Sequence, residues 1–311
     1  MTTTPARDET TASADPVVDC GVVIVAYRSA ADVRCLLKTL PAAADGLRLH
    51  VVVVDNHSRD DIAEVVGARP DVDLVEAGAN LGYAGAINLG RTLLPAARAV
   101  LVLNPDLRLG PGCVRRLFDA LQHPGTGASV PRLVDDTGLR LPSLRREPSI
   151  RRALGDALFG DHWPGRPGWL SEMVRTPAAY QLAATVDWAT GAAVLVAAEV
   201  DAVVGAWDDT RFFLYCEETD FMRRLREAGW GVRYVPEAVA AHRGGGSGGG
   251  AALVALGEIN RVRYFRKYHG RVASGVFRCV VGLHQLLRLS RPGNRLALRV
   301  LCGPIDAWRV A

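Results

Sequence analysis

Short apolar runs alternate with helix-like segments through the first 130 residues, and this alternation limits the fold more than any other feature. The runs are rich in β-branched residues, which is typical of strands buried on both faces, at residues 21–27, 50–54, 72–75 and 99–103. After the first run, apolar residues recur at helical spacing from Ser29, an N-cap candidate, to Pro41, where we expect the helix to end. Strand and helix in alternation favour right-handed βαβ units. We therefore predict an α/β fold with a Rossmann-like, mostly parallel central sheet flanked by helices.

The second half of the chain is less regular than the first. Prolines and arginines cluster between residues 139 and 180, which predicts an irregular functional loop or a mobile segment. Strand patterns return at residues 185–197 and 231–235, and Thr219 is a candidate helix start between them. A glycine run at residues 244–250 fits either a flexible linker or the hinge of a closing lid.

These patterns divide the chain into a disordered tail (residues 1–18), an α/β domain (19–250) and a basic C-terminal helical region (251–311). The tail lacks the basic start and apolar core of a signal peptide. No segment reaches the ~18 uninterrupted apolar residues of a membrane-spanning helix. The six cysteines are scattered without zinc-ligand spacing and suit a reducing compartment. We therefore expect a cytoplasmic protein.

Charge is distributed unevenly along the chain. The whole chain carries +4, whereas residues 258–311 hold ten Arg and one Lys against two acidic residues, a net charge of +9. A basic C-terminal region favours contact with an anionic membrane surface, and it equally fits a solvated pair of basic helices. Val276, Val280, Leu283 and Leu287 fall on one helical face, which could lie on a membrane, pack on the main domain or join two subunits of a homodimer. We expect no nucleic acid partner.

Two aspartates follow predicted strands at the sheet edge where α/β proteins bind ligands. Asp55 comes after the second strand and Asp106 after the fourth. Aspartate also favours turns, so either residue alone would be weak evidence. The two together, at equivalent ends of neighbouring strands, predict a binding site. Further along the chain, an acidic cluster at residues 217–220 and His242 could complete it.

Transfer of a sugar from a nucleoside diphosphate would use both kinds of group. A divalent cation can hold the negative charge that the departing diphosphate gains. The oxygen ligand Asp106 suits Mg²⁺ or Mn²⁺, and the imidazole of His242 suits Mn²⁺. A carboxylate on the opposite side of the anomeric carbon can take the proton of the attacking hydroxyl, and in-line attack then inverts the configuration. Simpler explanations exist for each group, because acids are favoured at helix starts and lone histidines are usually ordinary loop residues.

The order of these segments resembles family 2 glycosyltransferases of the GT-A fold, in particular their rhamnosyltransferase-like branch. The motifs that carry the resemblance are VIVAY (23–27), VVDNHS (53–58), NLGYAGAIN (80–88), LNPD (103–106), WATGA (188–192), FFLYCEETD (212–220) and His242 with Gly245, Gly246 and Ser247. They occur in colinear order over roughly residues 20 to 250, which is more specific than any single motif. The resemblance therefore implies a GT-A domain over residues 19–250.

The resemblance also implies residue roles. The donor-binding residues would be Tyr27, Asp55, Asn80, Gly82, Asn88, Asn104, Asp106 and Gly191. Asp106 and His242 would hold Mg²⁺ or Mn²⁺. Glu218 stands where the family usually has its aspartate base, and Glu217 or Asp220 could share or replace that role. The sequence departs from the family pattern at Glu218 and at Asn104, which replaces the first acid of the DxD-like element.

Together these features predict an inverting, metal-dependent glycosyltransferase. It would move a sugar, with rhamnose favoured by the family branch, from a dTDP- or UDP-sugar donor to a hydroxyl of a cell-envelope glycan or a polyprenyl-linked acceptor. It would act in the cytoplasm, peripherally at the inner face of the plasma membrane. The alternatives are a glycosyltransferase of secondary metabolism and a catalytically impaired module that binds sugar nucleotide or membrane. A nicotinamide or flavin enzyme is disfavoured, because residues 26–29 (AYRS) replace the expected glycine motif after the first strand.

Overall fold

The computed structural model describes residues 18–160, 162–244 and 250–306. The predicted tail lies outside these residues apart from Val18, which already belongs to the first strand. Five residues of the glycine run (245–249) also lie outside them. The linker and lid hypotheses for that run therefore stay predictions.

The first half of the chain forms a parallel sheet, as the alternation of strand and helix patterns predicts. Its strands are β1 (Val18–Ala26), β2 (Leu49–Asp55), β3 (Val72–Glu76) and β4 (Ala97–Leu103). They lie in the order β3-β2-β1-β4, with every neighbouring pair parallel. All four strands therefore end at the same edge of the sheet.

The second half extends this sheet with strands of both directions. The further strands are β5 (Leu107–Leu109), β6 (Thr126–Val134), β7 (Leu144–Arg145), β8 (Ala184–Val186), β9 (Trp188–Ala189), β10 (Ala193–Ala197) and β11 (Gly231–His242). β10 lies between β4 and β6 and is antiparallel to both. β11 is parallel to β6 and antiparallel to β5 and β8. Within the described residues the main sheet thus has nine strands, and β7 pairs with β9 in a separate two-stranded sheet.

Helices cover both faces of the main sheet. They are α1 (Ala30–Ala44), α2 (Ile62–Gly67), α3 (Gly82–Arg91), α4 (Cys113–Ala120), α5 (Ile150–Phe159), α6 (Ala198–Val204), α7 (Glu217–Glu227), α8 (Ala251–Tyr268), α9 (Arg271–Leu286) and α10 (Pro292–Leu301). Alternate residues of β1 enter two apolar clusters: Val22 and Ile24 pack with α1, α2 and α4, whereas Val23 and Val25 pack with α3, α6 and α7. The predicted α/β fold, with a central sheet flanked by helices and C-terminal helices after it, is confirmed.

The C-terminal helices share a third apolar cluster with α5. Phe265 of α8 stacks on Phe277 of α9 with ring centroids 4.1 Å apart, and Ala153 of α5 joins the same cluster. α5 lies inside the stretch predicted to be irregular, so that prediction was wrong for residues 150–159. In the described part of the chain, no helix is long and apolar enough to cross a membrane.

Pro41 does not end α1, contrary to the prediction. Proline lacks the N–H that would bond the carbonyl of Leu37, one turn earlier in the helix. Nη1 of Arg69 donates to that carbonyl at 3.3 Å instead. Because the carbonyl keeps a partner, the helix continues to Ala44.

Candidate active site

The ends of the parallel strands place Tyr27, Asp55 and Asp106 along one edge of the sheet. Ala26, the last residue of β1, pairs with Asp55, the last residue of β2. Oδ1 of Asp55 accepts a hydrogen bond from the backbone N–H of Ser58 at 2.8 Å, which fixes the loop after β2. Tyr27 keeps 42% of its surface exposed at the open side of this edge.

A buried amide that the sequence analysis did not assign organises the next loop. Oδ1 of Asn56 accepts from the backbone N–H of Leu81 at 2.8 Å, and its Nδ2 donates to Oδ1 of Asn80 at 2.9 Å. The same oxygen of Asn80 accepts from the N–H of Gly82 at 3.0 Å. Asn80, a predicted donor-binding residue, therefore has its side-chain oxygen committed to the turn that starts α3.

Gly82 and Asn88, two other predicted donor-binding residues, hold the segment before α7 against α3. Gly82 has a φ of +73°, and a Cβ there would lie 2.1 Å from the carbonyl oxygen of Phe213. The amide of Asn88 exchanges two 2.9 Å hydrogen bonds with the backbone of Trp207 and also contacts Asp209 and Arg91. These contacts occupy all its donors and acceptors. Asn88 thus positions the Trp207 segment, and its predicted contact with the donor stays a prediction.

Asp106 and His242 lie side by side because β5 pairs with β11. His242 stands opposite Leu107 in that pairing, and its Nε2 is 3.2 Å from Oδ1 of Asp106. Burial alone would raise the pKa of Asp106, but the hydrogen bond and charge of His242 outweigh it, so the pKa of this carboxyl is lowered. Asp106 is therefore an anion at neutral pH, next to an imidazole that can also bind a metal.

This pair fits a divalent cation that takes its other ligands from a substrate. Within the described residues, no three His, Cys, Asp or Glu side chains come together to hold a metal by themselves. Mg²⁺ commonly binds through one or two protein carboxylates, with substrate phosphates and water as the remaining ligands. One carboxylate and one imidazole would meet that requirement, with Mn²⁺ tolerating the nitrogen ligand.

The acidic cluster begins at a strained turn. Tyr215 and Cys216 have φ angles of 71° and 72°, a left-handed conformation that is uncommon for residues with side chains. α7 starts directly after them at Glu217. Thr219 therefore lies in its first turn, whereas the sequence had predicted Thr219 as the start of the helix. Strain of this kind persists only where the surrounding structure enforces it.

The three candidate catalytic carboxylates have different surroundings. Asp220 is fully buried and bonded to Lys267 at 2.6 Å, Tyr268 at 2.6 Å and Arg224 at 2.8 Å. Both of its oxygens are engaged in ion pairs or hydrogen bonds, and its predicted catalytic role stays a prediction. Burial, and then the charge of Glu218, raises the pKa of Glu217 well above its usual range. Glu217 is 4% exposed and does not line the cavity described next.

Glu218 lines an open cavity of about 370 Å³, which we call the Glu218 pocket. Burial raises the pKa of Glu218, although backbone N–H groups at the start of α7 and the cation of Arg145 oppose that effect. Its Oε2 has no hydrogen-bond partner within the described residues. Of the three carboxylates, Glu218 is thus the one that combines an oxygen without a partner with a place in the wall of this cavity.

Tyr83 connects this cluster with the Asp106 side of the site. Its hydroxyl donates to the carbonyl of Gly191 at 3.2 Å, and a Cβ on Gly191 would lie 3.1 Å from Cβ of Glu218. Burial raises the pKa of Tyr83, and the negative charges of Glu217, Glu218 and Asp106 raise it further. The charges of Asp106 and Glu218 therefore both raise the pKa of the same hydroxyl, that of Tyr83.

The backbone joins the same two sides. The N–H of Asn104 donates to the carbonyl of Ala192 at 2.8 Å, next to Gly191. The predicted residues Asn104, Asp106, Gly191, Glu218 and His242 thus form one connected region. The sequence analysis assigned no role to Tyr83, although its position inside the motif at residues 80–88 was a signal.

Comparison with known proteins identifies the family of the chain. The model of the family described as glycosyl transferase family 2 matches residues 21–175. A Mycobacterium tuberculosis protein named N-acetylglucosaminyl-diphospho-decaprenol L-rhamnosyltransferase is 34% identical over 233 residues, which cover 71% of this chain and 75% of that protein.

Two solved structures share the fold at low sequence identity. The mannosyltransferase PcManGT from Pyrobaculum calidifontis, in complex with GDP-Man and Mn²⁺, superposes with a TM-score of 0.52 at 18% identity. The match covers 93% of this chain and 76% of that one. GalNAc-T7 with UDP, GalNAc and Mn²⁺ gives a TM-score of 0.59 at 13% identity, over 91% of this chain and 56% of that one. The fold, the motif order and the close relative together place the chain in glycosyltransferase family 2, in its rhamnosyltransferase-like branch.

Proposed function

We propose that this glycosyltransferase inverts the anomeric configuration and uses Glu218 as its catalytic base. The observation that carries the proposal is the buried, unpartnered Oε2 of Glu218 at the wall of an open pocket. A buried polar atom without a partner costs roughly 1–3 kcal/mol, so such an atom is usually kept for a ligand. Glu217 and Asp220 lack this combination of a free oxygen and access to the pocket.

The acceptor hydroxyl would enter the Glu218 pocket and donate its hydrogen bond to Oε2. As its oxygen attacks the anomeric carbon, the proton passes to Glu218 and the bond to the donor diphosphate breaks on the far side. The raised pKa of Glu218 makes its carboxylate a stronger base than an exposed glutamate. In-line attack from one side and departure from the other invert the configuration.

Asp106 and His242 would hold Mg²⁺ or Mn²⁺ together with the donor diphosphate. A cation bound there supplies positive charge against the negative charge that the leaving diphosphate gains. Mn²⁺ in the two structural neighbours supports this assignment. Tyr27 and Asp55 at the strand ends would contact the nucleoside.

The relative with 34% identity supports a specific reaction. Its name describes transfer of L-rhamnose to N-acetylglucosaminyl-diphospho-decaprenol. We propose a dTDP- or UDP-linked sugar, with rhamnose first among the candidates, as the donor. The acceptor would be a sugar on a lipid-linked diphosphate used in building the cell envelope.

A lipid-linked acceptor calls for a membrane contact, and α9 offers a surface for it. Its buried face consists of Ser274, Phe277, Val281 and Gln285, which pack on the protein. The opposite face exposes 83% of Val272 and 46% of Val276, together with Cys279 and Leu286. Leu287, 55% exposed, and Leu289 extend this apolar surface just beyond the end of the helix.

Charge supports the same contact. Residues 271–305 contain six Arg and no Asp, Glu or Lys. Exposed apolar side chains beside basic ones are typical of helices that lie on anionic lipid. We therefore propose that the exposed face of α9 rests on the membrane that carries the acceptor, and that a homodimer through this face is the alternative.

Replacing Glu218 tests the catalytic proposal. Glu218→Gln keeps the shape of the side chain but cannot accept the proton, so transfer should fall by roughly 10²–10⁴-fold. The assay is transfer of radiolabelled rhamnose from dTDP-rhamnose with Mn²⁺ to a GlcNAc-diphospho-lipid. Donor binding, measured by calorimetry with dTDP, should stay within about twofold, since Glu218 lies on the acceptor side of the site.

A matched variant controls for the loss of charge. Glu199→Gln removes an exposed carboxylate at the start of α6 and should transfer sugar at the wild-type rate. If Glu218→Gln remained fully active, the base would have to be another group. If the wild-type chain bound dTDP but transferred no sugar from any donor, the impaired-module alternative would hold instead.

A further inference from the structure

The walls of the Glu218 pocket carry three different chemistries. α7 contributes Glu218 and Thr219, and the segment after β9 contributes Thr190. Residues Leu253 and Val254 at the start of α8 form an apolar wall. The cavity volume of about 370 Å³ lies within the range of roughly 300–1,000 Å³ that is usual for small-molecule sites.

The polar wall has hydroxyl groups without partners. Oγ1 of Thr190 and Oγ1 of Thr219 are buried and make no hydrogen bond within the described residues, as is true of Oε2 of Glu218. Thr219 is only 2% exposed, so solvent does not replace the missing partner. A threonine hydroxyl both donates and accepts, which matches the hydroxyls of a sugar. Two hydroxyls and one carboxylate oxygen without partners, all in residues that line one cavity, are suited to the hydroxyls of a sugar ring.

One cation in the pocket is not neutralised by an ion pair. Arg261 lies 2.9 Å from Glu172 and 3.1 Å from Glu258, so its charge is balanced. Arg145 instead donates through Nη1 to the carbonyls of Pro142 and Leu144. Throughout residues 18–160, 162–244 and 250–306, no carboxylate lies within ion-pair distance of the Arg145 guanidinium.

The small two-stranded sheet holds Arg145 in place. Arg145 of β7 stands directly opposite Trp188 of β9, and its guanidinium carbon lies 5.9 Å from the centre of the Trp188 ring. Nε1 of Trp188 donates to the carbonyl of Arg146 at 3.0 Å, which fixes the ring. A guanidinium held on an aromatic face, with N–H groups left over, is suited to binding phosphate oxygens.

We propose that the Glu218 pocket is an acceptor subsite that selects a sugar joined through a phosphate to an apolar chain. Thr190 and Thr219 bind the sugar hydroxyls, Arg145 binds the phosphate, and Leu253 with Val254 contact the start of the chain. This assignment rests on the proposed function and adds to it the residues that bind each part of the acceptor.

Binding of three short probes to the full chain tests this assignment part by part. The probes are octyl diphosphate, N-acetylglucosaminyl octyl diphosphate and octyl N-acetylglucosaminide, titrated by calorimetry below micelle formation with dTDP and Mn²⁺ present. The wild-type chain should bind the sugar diphosphate at least about tenfold more tightly than either of the others, because each partial probe leaves one group of partners unused.

Arg145→Gln should abolish the tenfold preference for the sugar diphosphate over octyl N-acetylglucosaminide. The control Arg151→Gln removes an exposed charge from α5 and should keep that preference. Arg145→Lys should keep part of it, since the positive charge remains. Wild-type binding that is equal for the charged and uncharged glycosides, or an unchanged preference in Arg145→Gln, would overturn the phosphate assignment.

The paired change Thr190→Val and Thr219→Val addresses the sugar. These substitutions keep the shape and remove both hydroxyls, so the gain from adding N-acetylglucosamine to octyl diphosphate should fall to about twofold or less. A retained gain would contradict the sugar assignment. Thermal unfolding of each variant shows whether it folds. Because binding is measured without turnover, a negative result here is separate from failure of Glu218 as the base.

Discussion

Three acidic residues lie within four positions at the start of α7, and each meets a different environment. The oxygens of Asp220 are bound by Lys267, Tyr268 and Arg224. Glu217 is buried beside a second carboxylate and has an oxygen without a partner. Glu218 has the same kind of free oxygen but faces a pocket. At the residue scale, the number of satisfied hydrogen bonds separates Asp220 from the proposed base Glu218.

Glu217 makes the stability of the protein depend on pH. Its pKa is raised above the ordinary value of 4.5, so the folded state binds this proton more tightly than the unfolded state. Stability is therefore greatest below pH 4.5 for this group and falls as the pH rises through the raised pKa. Glu217→Gln should raise the melting temperature at pH 8, by about 2–4 °C for each kcal/mol of relief. The increase should disappear near pH 4, and thermal unfolding at both pH values measures it.

An exposed glutamate gives the comparison for that measurement. Glu237 is exposed on β11, and Glu237→Gln should change the melting temperature equally little at both pH values. A Glu217→Gln variant that is less stable than the wild type at pH 8 would show that Glu217 is held ionised by contacts in the fold.

At the scale of elements, α8 holds the turn that precedes the acidic cluster at the start of α7. Nδ2 of Asn260 donates to the carbonyls of Leu214 at 2.9 Å and Tyr215 at 3.2 Å, and Asn260 is fully buried. One turn further along α8, Tyr264 packs against Cys216. These contacts stabilise the left-handed backbone of Tyr215 and Cys216, which would otherwise relax.

Asn260→Ala should loosen that turn. Two carbonyls lose their donor, so the free energy of unfolding should fall by about 1–3 kcal/mol. If the turn relaxes, Glu218 moves, and kcat should fall by roughly tenfold or more with little change in the KM for the donor. Urea unfolding and steady-state kinetics measure the two effects.

Asn294→Ala separates positioning from general stability. Asn294 is another buried amide, bonded to Gln285 at 2.8 Å between α10 and α9. Its loss should lower stability while leaving kcat near the wild-type value. Equal losses of kcat in both variants would mean that Asn260 contributes only to the stability of the helices.

The elements differ in how well the sequence predicts them. The strands β1 to β4 follow from local β-branched runs, and the positions of Asp55 and Asp106 at one edge of the sheet follow from where those runs end. α5 was missed because small residues such as Ala153 and Ala157 form its packed face and give little apolar periodicity. α1 continues past Pro41, where Arg69, distant in sequence, donates the hydrogen bond to the carbonyl of Leu37 that the proline cannot donate.

The positions of the candidate site residues were predictable where a motif marks them. Their surroundings were not predictable where contacts from distant parts of the chain determine them. Local pattern reveals that Glu217, Glu218 and Asp220 are acids at a helix start. It does not reveal that Lys267 and Tyr268, nearly fifty positions away, neutralise one of them. Arg145 is likewise an ordinary arginine until β7 and β9 pair and place it beside the pocket.

At the scale of the whole molecule, the apolar face of α9 ends close to the Glu218 pocket. Leu289 is four residues before Gly293, where a Cβ would lie 2.8 Å from Cβ of Val254 on the pocket wall. Four residues span at most about 14 Å, so the proposed membrane face and the acceptor entrance are neighbours. A lipid-linked acceptor could therefore reach the pocket with its chain still in the bilayer.

Vesicle flotation tests this arrangement. The wild-type chain should float with phosphatidylglycerol vesicles at low salt, lose most binding at high salt, and bind little to phosphatidylcholine. Val276→Glu combined with Leu287→Glu should reduce flotation at least about fivefold, because charges on the apolar face oppose burial in lipid. The control Leu182→Glu alters an even more exposed apolar residue outside α9.

Two results would count against the membrane face. The wild-type chain could fail to float at low salt, or the doubly substituted chain could float as well as the wild type. If sedimentation shows that the two substitutions instead dissociate a dimer, the face joins two copies of the chain.

The eighteen residues of α8 contribute both the apolar wall of the pocket and the amide that holds the catalytic turn. Under the proposed function, one helix therefore serves both the choice of acceptor and the position of the base. A substitution in α8 that suits a new lipid carrier could therefore also displace the proposed base, Glu218. Such substitutions should persist in evolution only together with compensating substitutions in the segment that α8 contacts, at Leu214 and Tyr215.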